Sequence, residues 1–156
     1  MPIAQTLQNY LTNKHAEYDL VAHEPTNSST RTAEACHIPG DRLAKAVLLR
    51  DEMGYAVAVL PASRHIRLSD LKAQFGDDVR LASEREIVEL FSDCVRGAIP
   101  ALGECYGLDT VIDASIEEQP EVYIEAGDHA TLVHMSQAQF ADLTSTARHG
   151  SFSTRH

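Results

Sequence analysis

Three short stretches of this chain bring together residue types that could grip a ligand. Lys45 heads the apolar run 44–49, at the point where a strand enters the core. A charge there is costly unless the ammonium reaches water or an anion. The position therefore reads either as a strand-end lysine snorkelling to solvent or as a cation kept for a negatively charged partner. The second stretch is Arg96-Gly97-Ala98-Ile99-Pro100. Glycine lets main chain approach a ligand closely and proline stiffens the loop, although a plain helix-exit loop would use the same residues. The third is Ala126-Gly127-Asp128-His129, a turn between two strand candidates, where a tight hairpin would also use Gly-Asp.

Conventional catalytic patterns are missing. The sequence holds no GxGxxG, P-loop, HExxH or GxSxG motif. Its eight histidines show no ligand spacing: His129 and His134 lie five apart, and His23, His37 and His65 fall on other elements. No metal site and no cofactor are expected. Cys36, Cys94 and Cys105 are widely spaced and odd in number, which suggests buried free thiols rather than a disulfide framework.

A net charge of −10 argues against a general nucleic-acid binder, but the charge is unevenly spread. Residues 31–72 carry seven basic side chains against five acidic ones, whereas 73–147 carry only Arg80, Arg85 and Arg96 against fifteen acids. A polyanion would be met by the first half and repelled by the second, with few phosphate contacts and a salt-sensitive affinity. The 156 residues fit one domain, expected over 1–147 with a frayed tail at 148–156. Neither a secretory signal nor a membrane-length apolar run is apparent, so the cytoplasm is the expected location.

The elements that must position these stretches follow from periodicity. Ile3, Leu7, Tyr10 and Leu11 predict an N-terminal amphipathic helix, and 18–23 a strand ending at Glu24-Pro25. Thr30 is the expected cap of a short helix reaching Cys36. Runs 45–50 and 55–60 predict a hairpin with a four-residue loop, 51–54. A helix along Leu68, Leu71 and Phe75 and a strand at 79–82 come next. Ser83 with Glu86 then forms a capping box opening another helix. Strands are expected at 110–113, 122–126 and 131–135. A final helix from Ser136 has Gln139 placed for a second capping box. Interleaved helices and hairpins imply an α/β (α+β) domain with a mixed sheet.

In this order, His23-Glu24-Pro25, Lys45 opening its strand, Gly97-Ala98-Ile99-Pro100, and the strand–glycine turn–strand of 122–135 with its closing helix resemble the YbaK family of prolyl-tRNA editing domains. The likeness covers roughly Tyr18 to Leu143. It implies a strongly curved mixed sheet with helices packed around it, and a trans-acting aminoacyl-tRNA deacylase that hydrolyses the ester of a tRNA mischarged with a small amino acid. By the same resemblance Lys45 is the catalytic lysine, holding the tRNA 3′ end or the ester carbonyl. His23, Gly97, Ala98, Pro100, Gly127, Asp128 and His129 would contact substrate. The implied partner is the acceptor end of mischarged tRNA, with an aminoacyl-tRNA synthetase as a further candidate, rather than DNA or a membrane.

An aminoacyl ester is already activated and its ribose presents a neighbouring hydroxyl. A cation, main-chain N–H groups and a placed water would therefore suffice without a nucleophile or metal. Two other readings stand beside this one: a non-catalytic tRNA-, nucleotide- or synthetase-binding member of the same fold, and a hydrolase acting on another acylated or nucleotide-like small molecule.

Overall fold

A computed structural model describes residues 3–25 and 28–155. Helix α1 (Gln5–Asn13) buries Leu7 and Leu11, one turn apart on its apolar face. Strand β1 (Asp19–Ala22) leads to α2 (Ser29–Cys36). The cap of α2 is Ser28 rather than Thr30: Ser28 has the extended backbone a cap needs and accepts from Arg31 N at 3.1 Å. His37, in the left-handed region, closes the helix.

A single 3₁₀ turn, Gly40–Arg42, feeds β2 (Leu43–Asp51), which pairs along its length with β3 (Gly54–Pro61). Only Glu52 and Met53 lie outside the pairing, so the expected four-residue loop is a two-residue one. Asp51 Oδ1 accepts from Met53 N at 2.8 Å, and Gly54 takes φ +130°. These two features close the chain sooner than the sequence suggests.

Then follow β4 (Arg64–Ile66), α3 (Leu68–Phe75), β5 (Arg80–Leu81) and α4 (Glu84–Leu90). The Ser83–Glu86 capping box is fully formed. A 3₁₀ turn at Gly103–Tyr106 precedes β6 (Asp109–Asp113), α5 (Ala114–Glu117), β7 (Glu121–Glu125), β8 (Thr131–Ser136) and α6 (Gln137–Leu143). Ser136 caps α6, but Gln139 does not complete a second box. Its side chain accepts from Glu17 N at 2.8 Å instead, tying α6 to the segment after α1.

Residues 148–155 are not a frayed tail. They form β9 (Arg148–Gly150), parallel to β6, and β10 (Ser153–Arg155), antiparallel to β4. Phe152 between them is fully buried, and its N–H donates to Asp113 Oδ1 at 2.8 Å. The other Asp113 oxygen accepts from Ser153 Oγ at 2.8 Å.

The main sheet is mixed, in the order β1-β8-β7-β2-β3-β6-β9. On one face Ala44, Leu48, Val57, Val59 and Ile112 pack with α1 and with Phe140 of α6. On the other, Leu49, Ala58, Leu60 and Val111 pack with Leu71 and Phe152. A smaller cluster of Leu43, Ala33, Ala62 and Leu132 seats α2. Among the described residues no helix is long and apolar enough to cross a membrane.

Candidate functional site

The site begins with an interruption in the sheet. With β3 along one edge of β2, the other edge is shared: β7 pairs with Leu43 and Ala44, and β5 with Leu49 and Arg50. Leu48 O accepts from Ala82 N at 3.0 Å, so Leu48 turns its peptide groups to this shared edge. Strand alternation gives Ala46, two residues earlier, the same aspect, and neither β7 nor β5 reaches it. The gap opens into a cleft of about 630 Å³. Ala46, Val47 and Leu48 form its floor, Leu81, Ala82, Glu84 and Ile87 one wall, and Arg96, Gly97, Ile99 and His129 the other.

Lys45 sits at the head of this open stretch. In the β2–β7 register Leu43 lies beside Tyr123, so Lys45 and Glu125, two residues further on each strand, share a sheet face. The Lys45 side chain has no ion pair or hydrogen bond among the described residues, and partial burial draws its ammonium below the ordinary lysine range. It is a cation with unspent donors, one residue before the cleft floor at Ala46.

The loop after α4 divides its labour. Ala98 and Pro100 are buried, and Ala98 N donates to Val95 O at 3.0 Å, so these two build the loop. Gly97 and Ile99 face the cleft, and among the described residues neither N–H has an acceptor. Gly97 takes φ +84°, and a Cβ added there would stand 3.9 Å from His129 Nε2. Main chain and imidazole are thus neighbours across the cleft wall.

The β7–β8 turn places that imidazole. Asp128 Oδ1 accepts from Ala130 N and Thr131 N at 3.0 and 2.9 Å, and Oδ2 from Thr131 Oγ1 at 2.7 Å. Asp128 is therefore spent on the turn and has little left for a ligand. Gly127, at φ +94°, lies against Ala4 and Cys94, where a Cβ would come within 2.7 Å of Ala4 Cβ. Its carbonyl accepts from Val95 N at 2.6 Å, which locks the turn to the 97–100 loop. His129 itself adopts φ +57°, a strained backbone for a non-glycine residue. Burial and the nearby His23 lower its pKa, while Asp128 acts in the opposite sense.

His23 extends β1 by donating its N–H to Ala130 O at 2.8 Å, and its ring stands edge-on to His129 with centroids 6.4 Å apart. Gly97 and His129 thus line the cleft, Gly127 and Asp128 carry the turn behind His129, His23 stands beside its ring, and Lys45 immediately precedes Ala46 of the floor. Ala98 and Pro100 lie beneath.

Sequence reading overlooked Glu125, which is 2% exposed beneath His129. A lone glutamate closing a strand gives no such signal. Cysteine chemistry is disfavoured at all three positions: each thiol is free and half-buried, and burial pushes each pKa up, for Cys94 to about 12. Among the described residues no cluster of three or more His, Cys, Asp or Glu is arranged to hold a metal ion.

The fold is shared with solved structures. Hypothetical protein APE2540 superposes with a TM-score of 0.84 at 20% identity, covering 96% of this chain and 100% of that one. A proposed trans-editing enzyme for prolyl-tRNA synthetase gives 0.85 at 20% identity, covering 99% and 98%. A proposed signal transduction protein from Marinobacter aquaeolei VT8 gives 0.76 at 24% identity, covering 99% of this chain but 31% of that longer one. No curated protein sequence matches. The family model of the aminoacyl-tRNA editing domain matches residues 23–143, most of the chain and every element of the cleft, and the protein belongs to that family.

Proposed function

We propose that this protein is a trans-acting aminoacyl-tRNA deacylase that removes a small amino acid from mischarged tRNA, using Lys45 and no metal. The reading is carried by one observation. The open edge of β2 forms the floor of a cleft whose opposite wall offers the uncommitted N–H groups of Gly97 and Ile99. An ester carbonyl lying between them would meet donors where negative charge develops as water attacks. Lys45 would neutralise that charge or the 3′-terminal phosphate, and the free ribose hydroxyl beside the ester would assist the water. Ala46, Ala82 and Ile99 suit a small side chain, the kind that a synthetase discriminates by only about 1–3 kcal/mol per methylene and that a second sieve must remove.

The test is single-turnover hydrolysis across a panel of mischarged tRNAs, comparing the parent protein with Lys45→Ala and including chelator controls. Release of one or more small amino acids, reduced at least about 10²-fold in the variant and indifferent to chelators, is expected. Binding of tRNA without turnover would instead favour a non-catalytic tRNA-, nucleotide- or synthetase-binding role. That reading draws support from the acidic 73–147 half, a surface suited to a basic protein partner.

A further inference from the structure

Glu125 is a buried carboxyl group that the proposed hydrolysis leaves unused. It is 2% exposed at the end of β7, and among the described residues neither carboxylate oxygen has a hydrogen-bond partner. On β8 it pairs with Leu132, and an apolar side chain would fill the place with no desolvation cost. Among the described residues the nearest basic group is His129 Nδ1, 3.7 Å from Glu125 Oε2 and likewise without a hydrogen-bond partner. The other ring nitrogen of His129, Nε2, is the one beside Gly97 at the cleft wall.

We propose that Glu125 is a positioning residue for His129, holding Nδ1–H so that the Nε2 lone pair faces the cleft as a base. The inference rests on the deacylase reading and supplies its proton path. Water oxygen bonds to the ester carbonyl carbon while one water proton passes to Nε2. The bond from that carbon to the ribose oxygen then breaks, and the imidazolium returns the proton to that oxygen. The products are the free amino acid and tRNA with its 3′-terminal hydroxyl restored. A separation of 3.7 Å is longer than a hydrogen bond, and such contacts commonly tighten when substrate closes a site.

The surroundings of the carboxyl fit this arrangement. The charged and titratable groups around the carboxyl are His129 and Asp128 from the turn, Cys36 of α2 and Lys45 of β2, with the Thr32 hydroxyl of α2 and His23 nearby. Burial, seconded by Asp128, raises the pKa of Glu125 to about 7, against the smaller opposing effect of Thr32. Thr32 Oγ1 directs its own proton to Ser28 O at 3.1 Å. Below neutrality the protonated carboxyl donates to Nδ1 and leaves the hydrogen on Nε2. Above it, the carboxylate accepts from Nδ1–H and frees Nε2.

Two measurements on the intact protein test this. In ¹⁵N-labelled protein, the ring nitrogens of His129 are expected to exchange the Nε2–H tautomer for Nδ1–H as pH rises through about 7, and Glu125→Gln is expected to abolish the exchange. In deacylation, Glu125→Gln is expected to lower kcat on the order of 10²-fold above neutrality with KM little changed, and to flatten the rise of kcat with pH. Glu125→Asp, which keeps the charge, restores part of that rise. An unchanged tautomer profile in Glu125→Gln, or a kcat–pH curve parallel to the parent's, would overturn the proposal. A tautomer exchange in a protein that hydrolyses no aminoacyl-tRNA would uphold the Glu125–His129 coupling and remove the deacylase reading alone.

Discussion

At the scale of single residues, groups in and beside the cleft sit in surroundings that work against their charge. Burial lowers the pKa of Lys45 and of His129 and raises that of Glu125 to about 7. The last has a consequence for stability. A carboxyl whose pKa is higher in the folded than in the unfolded chain binds more protons when folded. Its contribution is therefore fully present below about 4.5 and is lost as pH rises through about 7. Glu125→Gln removes that loss, so the variant is expected to be more stable than the parent at pH 8, by up to about 3 kcal/mol, and little different at pH 4.5. Urea denaturation at the two pH values checks this, and an equal difference at both would contradict the assignment. A substitution that raises stability while lowering activity would mark a group retained for chemistry. Lys45, Gly97 and the Gly127–His129 turn stand out in the sequence because a charge in an apolar run and glycines in tight turns break local pattern. Glu125 does not, because a glutamate at a strand end is ordinarily solvated, and only the packing of α2 and the β7–β8 turn buries it.

At the scale of elements, the cleft depends on how α4 is pinned. Ser83 accepts from Glu86 N at 3.2 Å, and Glu86 reaches back to Ser83 N at 2.9 Å. The same glutamate accepts from Tyr55 Oη at 2.5 Å and pairs with Arg50 at 2.6 Å, which fastens the first turn of α4 to the β2–β3 hairpin. Those bonds hold its carboxyl well below the usual range. Glu84 and Ile87, on the cleft wall, take their place from this anchor. Ser83→Ala is expected to cost about 1 kcal/mol in thermal or chemical denaturation and to raise KM more than it lowers kcat. The reverse pattern would mean that α4 does not shape the binding wall. The capping box was visible from a three-residue spacing. Its connection to the hairpin was not, because Arg50 and Tyr55 meet Glu86 only once the strands are in register. The misplaced cap of α2 has a similar origin, since Ser28 and Thr30 are chemically alike and only the backbone at Ser28 tells them apart.

At the scale of the molecule, the charge imbalance acquires a location. The only arginines of 73–147, which holds no lysine, lie on β5, α4 and the α4 exit, which wall the cleft. Each pairs with an α4 glutamate: Arg80 with Glu86, Arg85 with Glu89, Arg96 with Glu84. The order of elements and the mixed character of the sheet could be read from periodicity. The closing strands could not: residues 148–155 are short and polar, with a single apolar residue, Phe152, and their partners β6 and β4 lie far back in the chain. Phe152→Ala is expected to cost about 3–5 kcal/mol in equilibrium unfolding. A cost below about 1 kcal/mol would mean that the closing segment is dispensable.

That latch also orders events during synthesis. Until residues 148–155 have left the ribosome, the outer edge of β6 has no neighbour and the pocket for Phe152 stands empty, so the nascent domain presents an open strand edge beside exposed apolar surface. Premature termination near Ala147 would therefore yield chains that carry every residue of the cleft yet are prone to associate with one another, and their recovery as monomers would depend on chaperones rather than on the integrity of the site.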